Sequence, residues 1–345
     1  MFFASDNAGI IHPQIMQAMQ DANTGYALPY GNDPIMDEVR AQIREVFEAP
    51  EAAVYLVATG TAANALALAC YTQPWQTVFC AEYAHIEEDE CNAPEFYMGG
   101  AKLTLVPTED KMTPEVLAAA IARRPNGNVH MAQSGAVSIT QATEAGTVHS
   151  LEELRALTAV AKDAGLPVHL DGARFANALV TLGCTAAEMT WKSGVDVVSF
   201  GGTKNGCAGV EAVAFFDPAK AWEFELRRKR GAHLFSKHRY LSAQMQGYLK
   251  DGLWLDMARK SNAACARLTA GLRAKGAEFV HTPQANMIFV RLPRATHQLL
   301  HAAGAVYYVL DGDRDKGPAD EMLRSRMVCD WAMTDDLIDQ FLSHL

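Results

Sequence analysis

The sequence predicts an α/β protein: a large, mostly parallel, doubly wound sheet followed by a smaller α+β domain. In the first part of the chain, short apolar runs alternate with segments that have helical spacing. The runs are nearly continuous in apolar residues, which is typical of strands covered on both faces. After about residue 250 one long helical segment and several shorter pieces replace this alternation. We therefore expect a large domain over residues 1–250 and a small one over 251–345, packed together because no flexible linker separates them.

Each predicted element has its own signal. Apolar residues at helical spacing over 33–48 predict a helix before the first strand. Ser150 and Glu153 form a capping box, and Thr113 before Pro114 predicts another helix start. The predicted strands of the large sheet are 52–58, 77–81, 103–106, 137–140, 167–170, 195–200 and 212–216. The predicted elements of the small domain are a helix over 253–275, short pieces over 279–281, 287–292, 305–310 and 323–328, and a closing helix over 334–344.

Composition and charge exclude several classes of protein. The net charge of −10 argues against a broad nucleic-acid surface, which needs a basic field. No stretch reaches the roughly 18 apolar residues of a membrane helix, and the start of the chain lacks the basic and apolar regions of a signal peptide. The seven cysteines are scattered without a CxxC pair. We therefore expect a cytoplasmic protein without a metal site.

Lys204 follows the predicted strand 195–200, within Gly201-Gly202-Thr203-Lys204. In a doubly wound sheet the carboxyl ends of the strands open onto the ligand crevice. Partial desolvation there makes a lysine amine a usable nucleophile toward an aldehyde. A surface lysine in a glycine-rich loop is the alternative interpretation.

Three further signals lie at other strand ends. Asp171 could keep a pyridine nitrogen protonated, or it could cap the helix that begins near Arg174. The turn at Gly60 and Thr61 could hold a phosphate on free N–H groups, although it lacks the dinucleotide and P-loop fingerprints. His85 could stack on a flat cofactor or transfer a proton, although most lone histidines do neither. Their order along the chain is that of enzymes with the aspartate-aminotransferase fold, which use pyridoxal 5′-phosphate (PLP).

The motifs at 5–6, 30–34, 170–174 and 202–205 give the chain its resemblance to the L-threonine aldolase family, within the β-eliminating lyases. The similarity runs over nearly the whole sequence. It implies PLP as cofactor and the cleavage of β-hydroxy-α-amino acids, such as L-threonine and L-allo-threonine, to glycine and an aldehyde.

The resemblance also implies roles toward the cofactor. Lys204 would hold PLP covalently, and Asp171 would pair with its ring nitrogen. Gly60 and Thr61 would bind the phosphate, and His85 would stack on the ring. Other implied cofactor contacts are Arg174, Thr203 and Arg239. Because Arg239 matches a segment that reaches a neighbour's phosphate, the resemblance implies a homodimer or homotetramer with shared sites.

The substrate would be an amino acid held by its carboxylate. Ser5, Arg174 and Arg326 would bind that carboxylate, while Tyr30 and Glu90 would border the site. His85 is the first candidate for the base that takes the β-hydroxyl proton, and Glu90 is the second.

Two stretches depart from the family pattern. Many members have Asn-Thr-His after the central strand, where this chain has residues 138–144 with Thr143 in the histidine's place. Many also have Arg-x-Val-Thr-His near the C-terminus, where this chain has Arg326-Met-Val-Cys329-Asp330. The identity of the base and the choice between diastereomers therefore stay open. Two other functions also stay open: another PLP enzyme, either a β-eliminating lyase or an aminotransferase, and a non-catalytic PLP-fold binding protein.

Overall fold

The computed structural model describes residues 1–345 and contains one seven-stranded and one four-stranded sheet. In the large sheet the strand order is β1-β7-β6-β5-β4-β2-β3, and only β7 runs against the others. The predicted α/β class with a large, mostly parallel sheet is confirmed. The strands of this sheet are β1 Ala53–Val57, β2 Gln76–Ala81, β3 Lys102–Val106, β4 Gln133–Thr140, β5 Val168–Gly172, β6 Val197–Gly201 and β7 Glu211–Phe215.

Helices cover both faces of the large sheet, as the apolar runs require. The capping box at Ser150 and the cap at Thr113 begin two of these helices as predicted. No helix is long and apolar enough to cross a membrane. The helices are α1 Pro13–Asp21, α2 Pro34–Val46, α3 Gly60–Ala69, α4 His85–Glu88, α5 Ala93–Tyr97, α6 Pro114–Ala122, α7 Leu151–Asp163, α8 Phe175–Leu182, α9 Ala186–Met189, α10 Ala221–Arg230, α11 Arg239–Leu249, α12 Leu253–Ala274, α13 Arg294–Ala302 and α14 Asp335–Ser343.

The small sheet packs against the C-terminal helices around a separate apolar core. Its strand order is β10-β11-β9-β8, and all its pairs are antiparallel. The strand predicted over 305–310 is shorter in the structure than expected. The strands are β8 Glu278–Phe279, β9 Met287–Pro293, β10 Tyr308–Val309 and β11 Met322–Val328.

The first residues of the chain pair with this small sheet. The Phe3 N–H donates to the Val306 carbonyl at 2.8 Å, and the Phe3 carbonyl accepts from Val328 N–H at 2.8 Å. Phe3 is buried in the core around the small sheet. A domain border at residue 250 stays a prediction, but the N-terminal segment joins the C-terminal unit and brings Ser5 to the junction of the two sheets.

Candidate active site

Lys204 lies in a tight turn over Thr203–Asn205, directly after β6. Asn205 anchors this turn by donating to the Tyr248 hydroxyl and to the Trp254 carbonyl, both at 2.9 Å. Gly206 closes the turn with φ of 103°, a conformation that side chains rarely adopt. The turn is thus fixed, while the amine of Lys204 makes no hydrogen bond or ion pair within the chain and remains free to react.

Asp171 lies on β5, next to β6, and is buried. Its Oδ1 accepts from the Ala173 N–H at 3.0 Å, and its Oδ2 accepts from the Asn64 side chain at 2.9 Å. The alternative role as a helix cap is not adopted, because the cap position of α8 is Arg174. Two neutral donors therefore hold the carboxylate, and no cation of the chain pairs with it in a salt bridge.

Asn64 links Asp171 to Glu90 and His85. Its amide also donates to Glu90 Oε1 at 2.9 Å, and the same oxygen lies 2.8 Å from His85 Nδ1. The hydrogen bond that His85 donates to Glu90 raises the pKa of His85 above its usual value, against the effect of partial burial. Glu90 Oε2 and Asn64 Oδ1 are buried without a partner. Asn64 was not among the site residues predicted from the sequence.

A turn in an unusual backbone conformation directly follows Glu90. The next two residues, Cys91 and Asn92, have φ of 49° and 59° in the left-handed region. This conformation costs roughly 1–2 kcal/mol for a side-chain-bearing residue. This turn joins α4 to α5, and the Glu90 carboxylate beside it is buried and bonded to His85.

The turn after β1 provides the predicted phosphate site. Thr59 caps α3 by accepting from the Ala62 N–H at 3.2 Å. Gly60 and Thr61 occupy the first two helical positions, whose N–H groups have no partner within a helix. A side chain on Gly60 would contact nothing within 4 Å, so the space beside these donors is open. Free N–H groups, the positive end of α3 and open space fit a phosphate group.

Arg174 does not stand free in the site. Its Nε and Nη2 donate to the two oxygens of Asp6, at 2.8 and 3.0 Å, and both side chains are buried. Burial would raise the pKa of Asp6, but the charges of Arg174 and Lys204 hold it below its usual value. Asn286 also donates to Asp6, at 3.0 Å. Nη1 of Arg174 makes no hydrogen bond within the chain and is left for a substrate.

Arg326 projects from β11 into a cleft of about 540 Å³ between the two sheets. Its Nη2 donates to the Ala4 carbonyl at 3.2 Å, and its guanidinium lies 5.1 Å from the centre of the Tyr308 ring. Nε of Arg326 has no partner.

Thr143 takes the place of the histidine found in many family members. It lines the same cleft, and its hydroxyl donates a hydrogen bond to Asp110. Ser5 lies near the Arg326 contact, and its Oγ accepts from the Asn7 N–H.

Tyr30 and Arg239 lie apart from this group of residues. Tyr30 is exposed, has φ of 62°, and its ring lies 4.9 Å from the Lys229 amine. Arg239 donates to the carbonyls of Thr24 and Gly25 at 3.0 and 3.2 Å, in an exposed position. Within one chain, neither side chain hydrogen-bonds to Lys204, Asp171 or the turn before α3.

Comparisons with known proteins agree with this geometry. The family model described as β-eliminating lyase matches residues 3–295. A low-specificity L-threonine aldolase of Pseudomonas aeruginosa is 41% identical over 332 residues, covering 95% of this chain and 92% of the relative. A threonine aldolase structure from Leishmania major superposes with a TM-score of 0.92 at 27% identity, covering 99% of this chain and 97% of that one. A serine palmitoyltransferase of Sphingomonas wittichii, 16% identical with a TM-score of 0.72, shares the fold. The resemblance predicted from the motifs is confirmed, and the chain belongs to the β-eliminating lyase family, among the low-specificity L-threonine aldolases.

Proposed function

We propose that this protein is a PLP-dependent lyase that cleaves L-threonine, L-allo-threonine and related β-hydroxy-α-amino acids to glycine and an aldehyde. The observation that carries the proposal is the hydrogen-bonded series Asp171–Asn64–Glu90–His85 at the same sheet edge as an unpaired Lys204. The proposal is also supported by the 41% identity between this chain and a low-specificity L-threonine aldolase along almost the full length of both proteins.

The residues at this edge fit PLP. The free N–H groups of Gly60 and Thr61 would hold the phosphate, with Thr203 nearby at the start of the lysine turn. Asp171 would hold a proton on the ring nitrogen, and the Lys204 amine would bond to the aldehyde. When bound, PLP supplies the electron sink for the pair left on Cα when the Cα–Cβ bond breaks.

The substrate carboxylate would be held between the two sheets. Arg326 offers Nη1, which makes no hydrogen bond within the chain, from the small sheet, and Arg174 offers Nη1 from the large one. Ser5 is placed there by the pairing of residues 1–4 with the small sheet. An arginine fork binds a carboxylate through parallel hydrogen bonds, which fixes orientation as well as position. Such fixation would direct the Cα–Cβ bond for cleavage.

His85 is the residue that we assign to the β-hydroxyl proton. Glu90 Oε1 engages Nδ1, so Nε2 is the ring atom left to accept a proton. Glu90 itself is buried and shares Oε1 between His85 and Asn64. This arrangement suits a carboxylate that orients a histidine better than one that meets the substrate, so Glu90 is the second choice for the base.

We also propose a homo-oligomer with shared sites. Arg239 stands on the surface beside exposed apolar side chains, namely Tyr26, Leu28 and Phe235. An exposed apolar group with a cation at its edge suits contact with a second copy. A cytoplasmic location remains a prediction from the scattered cysteines, all of which are free.

A product assay tests the proposed reaction. PLP-loaded protein should convert L-threonine and L-allo-threonine to equal amounts of glycine and acetaldehyde. Formation of a keto acid or ammonia instead would identify a different PLP reaction, and absence of turnover with bound PLP would indicate a binding protein. Lys204→Ala is the control for cleavage by free PLP.

A further inference from the structure

Glu211 is a buried acid at the same sheet edge, and the reaction described above does not use it. It is the first residue of β7 and pairs with Val57 on one side and Gly201 on the other. Because β7 runs against its neighbours, its amino end lies at the carboxyl ends of β1 and β6. Glu211 therefore lies between the strand that leads to Gly60 and the strand that leads to Lys204.

The side chain of Glu211 lies on the α3 face of the sheet. Side chains alternate along a strand, so Glu211 shares a face with Val213 and Phe215. These two residues pack in one apolar cluster with Ala62 and Ala63 of α3. The carboxyl group thus points to the side where the first turn of α3 presents its free N–H groups.

Glu211 also holds the turn that carries Lys204. Its Oε2 accepts a hydrogen bond from the Gly202 N–H at 2.9 Å, and Gly202 directly precedes the turn. No arginine, lysine or histidine pairs with Glu211 in a salt bridge. Burial raises its pKa to about 7, while the Lys204 charge acts in the opposite direction.

The other titratable groups around Glu211 are Asp171 from β5, Cys207 after the lysine turn and Tyr248 from α11. Asp171 adds to the effect of burial on the pKa of Glu211. Burial raises the pKa of the Cys207 thiol and of the Tyr248 hydroxyl well above their usual values, so both stay neutral near pH 7. Lys204 and Asp171 are therefore the charges that Glu211 meets in this pH range.

We propose that Glu211 is a proton-carrying positioning residue of the phosphate pocket: it fixes the turn that carries Lys204, and its protonation determines how firmly the pocket retains the cofactor phosphate. The proposal rests on the proposed function, because that function places a phosphate at the first turn of α3. A protonated carboxyl can donate a hydrogen bond toward a phosphate oxygen, whereas an ionised one only repels it.

Thermodynamic linkage between proton binding and PLP binding predicts how the PLP affinity should change with pH. If the phosphate favours protonated Glu211, PLP binding takes up a proton and PLP affinity falls as the pH rises through the titration of this group. Each unit by which bound phosphate shifts that titration corresponds to about a tenfold change in affinity. Glu211→Gln keeps an oxygen acceptor for the Gly202 N–H but loses the charge, so it should abolish the dependence.

The test measures PLP retention by the holoenzyme, as visible absorbance after equilibrium dialysis between pH 6.5 and pH 9. We expect the dissociation constant of the parent protein to rise about tenfold more over this range than that of Glu211→Gln. Glu115→Gln, on the exposed face of α6, is the matched control and should follow the parent. The proposal would be overturned if the PLP dissociation constants of the parent and of Glu211→Gln changed in parallel with pH. It would also be overturned if Glu211→Gln bound PLP more weakly than the parent by the same factor at every pH.

A second probe covers the case in which Glu211→Gln does not fold. Pyridoxal lacks the phosphate, so its affinity for the parent protein should not carry the extra loss with rising pH. If PLP and pyridoxal lose affinity in parallel above pH 7, Glu211 does not act on the phosphate. Failure of the aldolase reaction would show in the product assay instead, so the two proposals fail in different measurements.

Discussion

Asp171 and Arg239, both predicted to contact the cofactor, are built into the protein in opposite ways. Asp171 lies on a central strand, is 3% exposed, and is held by two donors from its own chain. Arg239 lies on the surface and binds two carbonyls of the loop at Thr24 and Gly25. The inner residue is fixed at the site by its own chain, whereas the outer one contacts no other site residue within a single chain.

This difference predicts which substitutions should affect the reaction directly and which should act through assembly. Groups held at the site by their own chain, such as Asp171, Asn64 and Lys204, should affect the reaction directly and leave assembly intact. Groups on the outer side, such as Arg239 and Tyr30, should act through a neighbouring copy. Five predictions test this division.

The largest effect is expected at Lys204. Lys204→Ala should lose the visible absorbance of bound PLP and all measurable turnover, because no other amine lies at the strand end. Its melting temperature without PLP should stay near that of the parent, since the amine has no partner in the chain. Lys275→Ala, after the end of α12, is the control. Full activity of Lys204→Ala would remove the lysine from the reaction.

Asp171→Ala should still bind PLP through the phosphate pocket but lose most turnover. Removal of one partner of a buried charge pair costs about 2–5 kcal/mol, which corresponds to roughly thirtyfold or more. Steady-state kinetics at saturating PLP measure the loss, and Asp163→Ala at the end of α7 should be unaffected. A change below about threefold would mean that Asp171 does not act on the ring nitrogen.

Arg326→Lys tests the substrate side of the site. A lysine cannot reproduce the two parallel hydrogen bonds of a guanidinium, so kcat/KM should fall at least about tenfold with PLP absorbance unchanged. Arg324→Lys is a close control because Arg324 lines the same cleft but pairs with Asp311 at 3.2 Å. Threonine cleavage by Arg326→Lys at parent efficiency would rule out the carboxylate role.

The same division between inner and outer residues explains what the sequence could predict. Lys204 and Asp171 each follow an apolar run, so their place at a strand end is visible locally. Asn64 carries no such signal, because its partners Glu90 and Asp171 are 26 and 107 residues away. Contacts at that separation depend on how strands are ordered in the sheet, which periodicity does not reveal.

Two other features of the site could not be predicted from the sequence, because they depend on the three-dimensional arrangement of the chain. Arg174 was predicted to bind the substrate carboxylate, but its pairing with Asp6 joins residues 168 positions apart and leaves one nitrogen free. Glu211 lies just before the predicted strand 212–216 and was given no role from the sequence. Only the reversed direction of β7 brings its amino end to the site, and an apolar run does not encode direction.

Mixed oligomers test the outer residue. If Arg239 completes a neighbour's site, Lys204→Ala chains mixed with Arg239→Ala chains should regenerate sites that take the lysine from one chain and the arginine from the other. Random pairing into dimers would restore about one quarter of the parent activity, since half of the dimers are mixed and each carries one complete site. If verified mixed oligomers recover no activity, Arg239 does not complete the site of a neighbouring chain and acts only within its own chain.

The smallest effect is expected in the pH dependence of kcat/KM at saturating PLP. The hydrogen bond that His85 donates to Glu90 raises the pKa of His85, and the charge of Asp171 acts in the same direction, while burial lowers it. A base must be unprotonated, so activity should fall as the pH drops through this raised pKa.

The variant Glu90→Gln tests this assignment. It removes the negative charge that favours the imidazolium of His85, so the inflection on the acid side of the kcat/KM profile should move to lower pH. Glu88→Gln, at the end of α4, should leave the inflection in place. An inflection that does not move in Glu90→Gln would show that His85 does not govern the profile, and Glu90 or a water would then become the better candidate for the base.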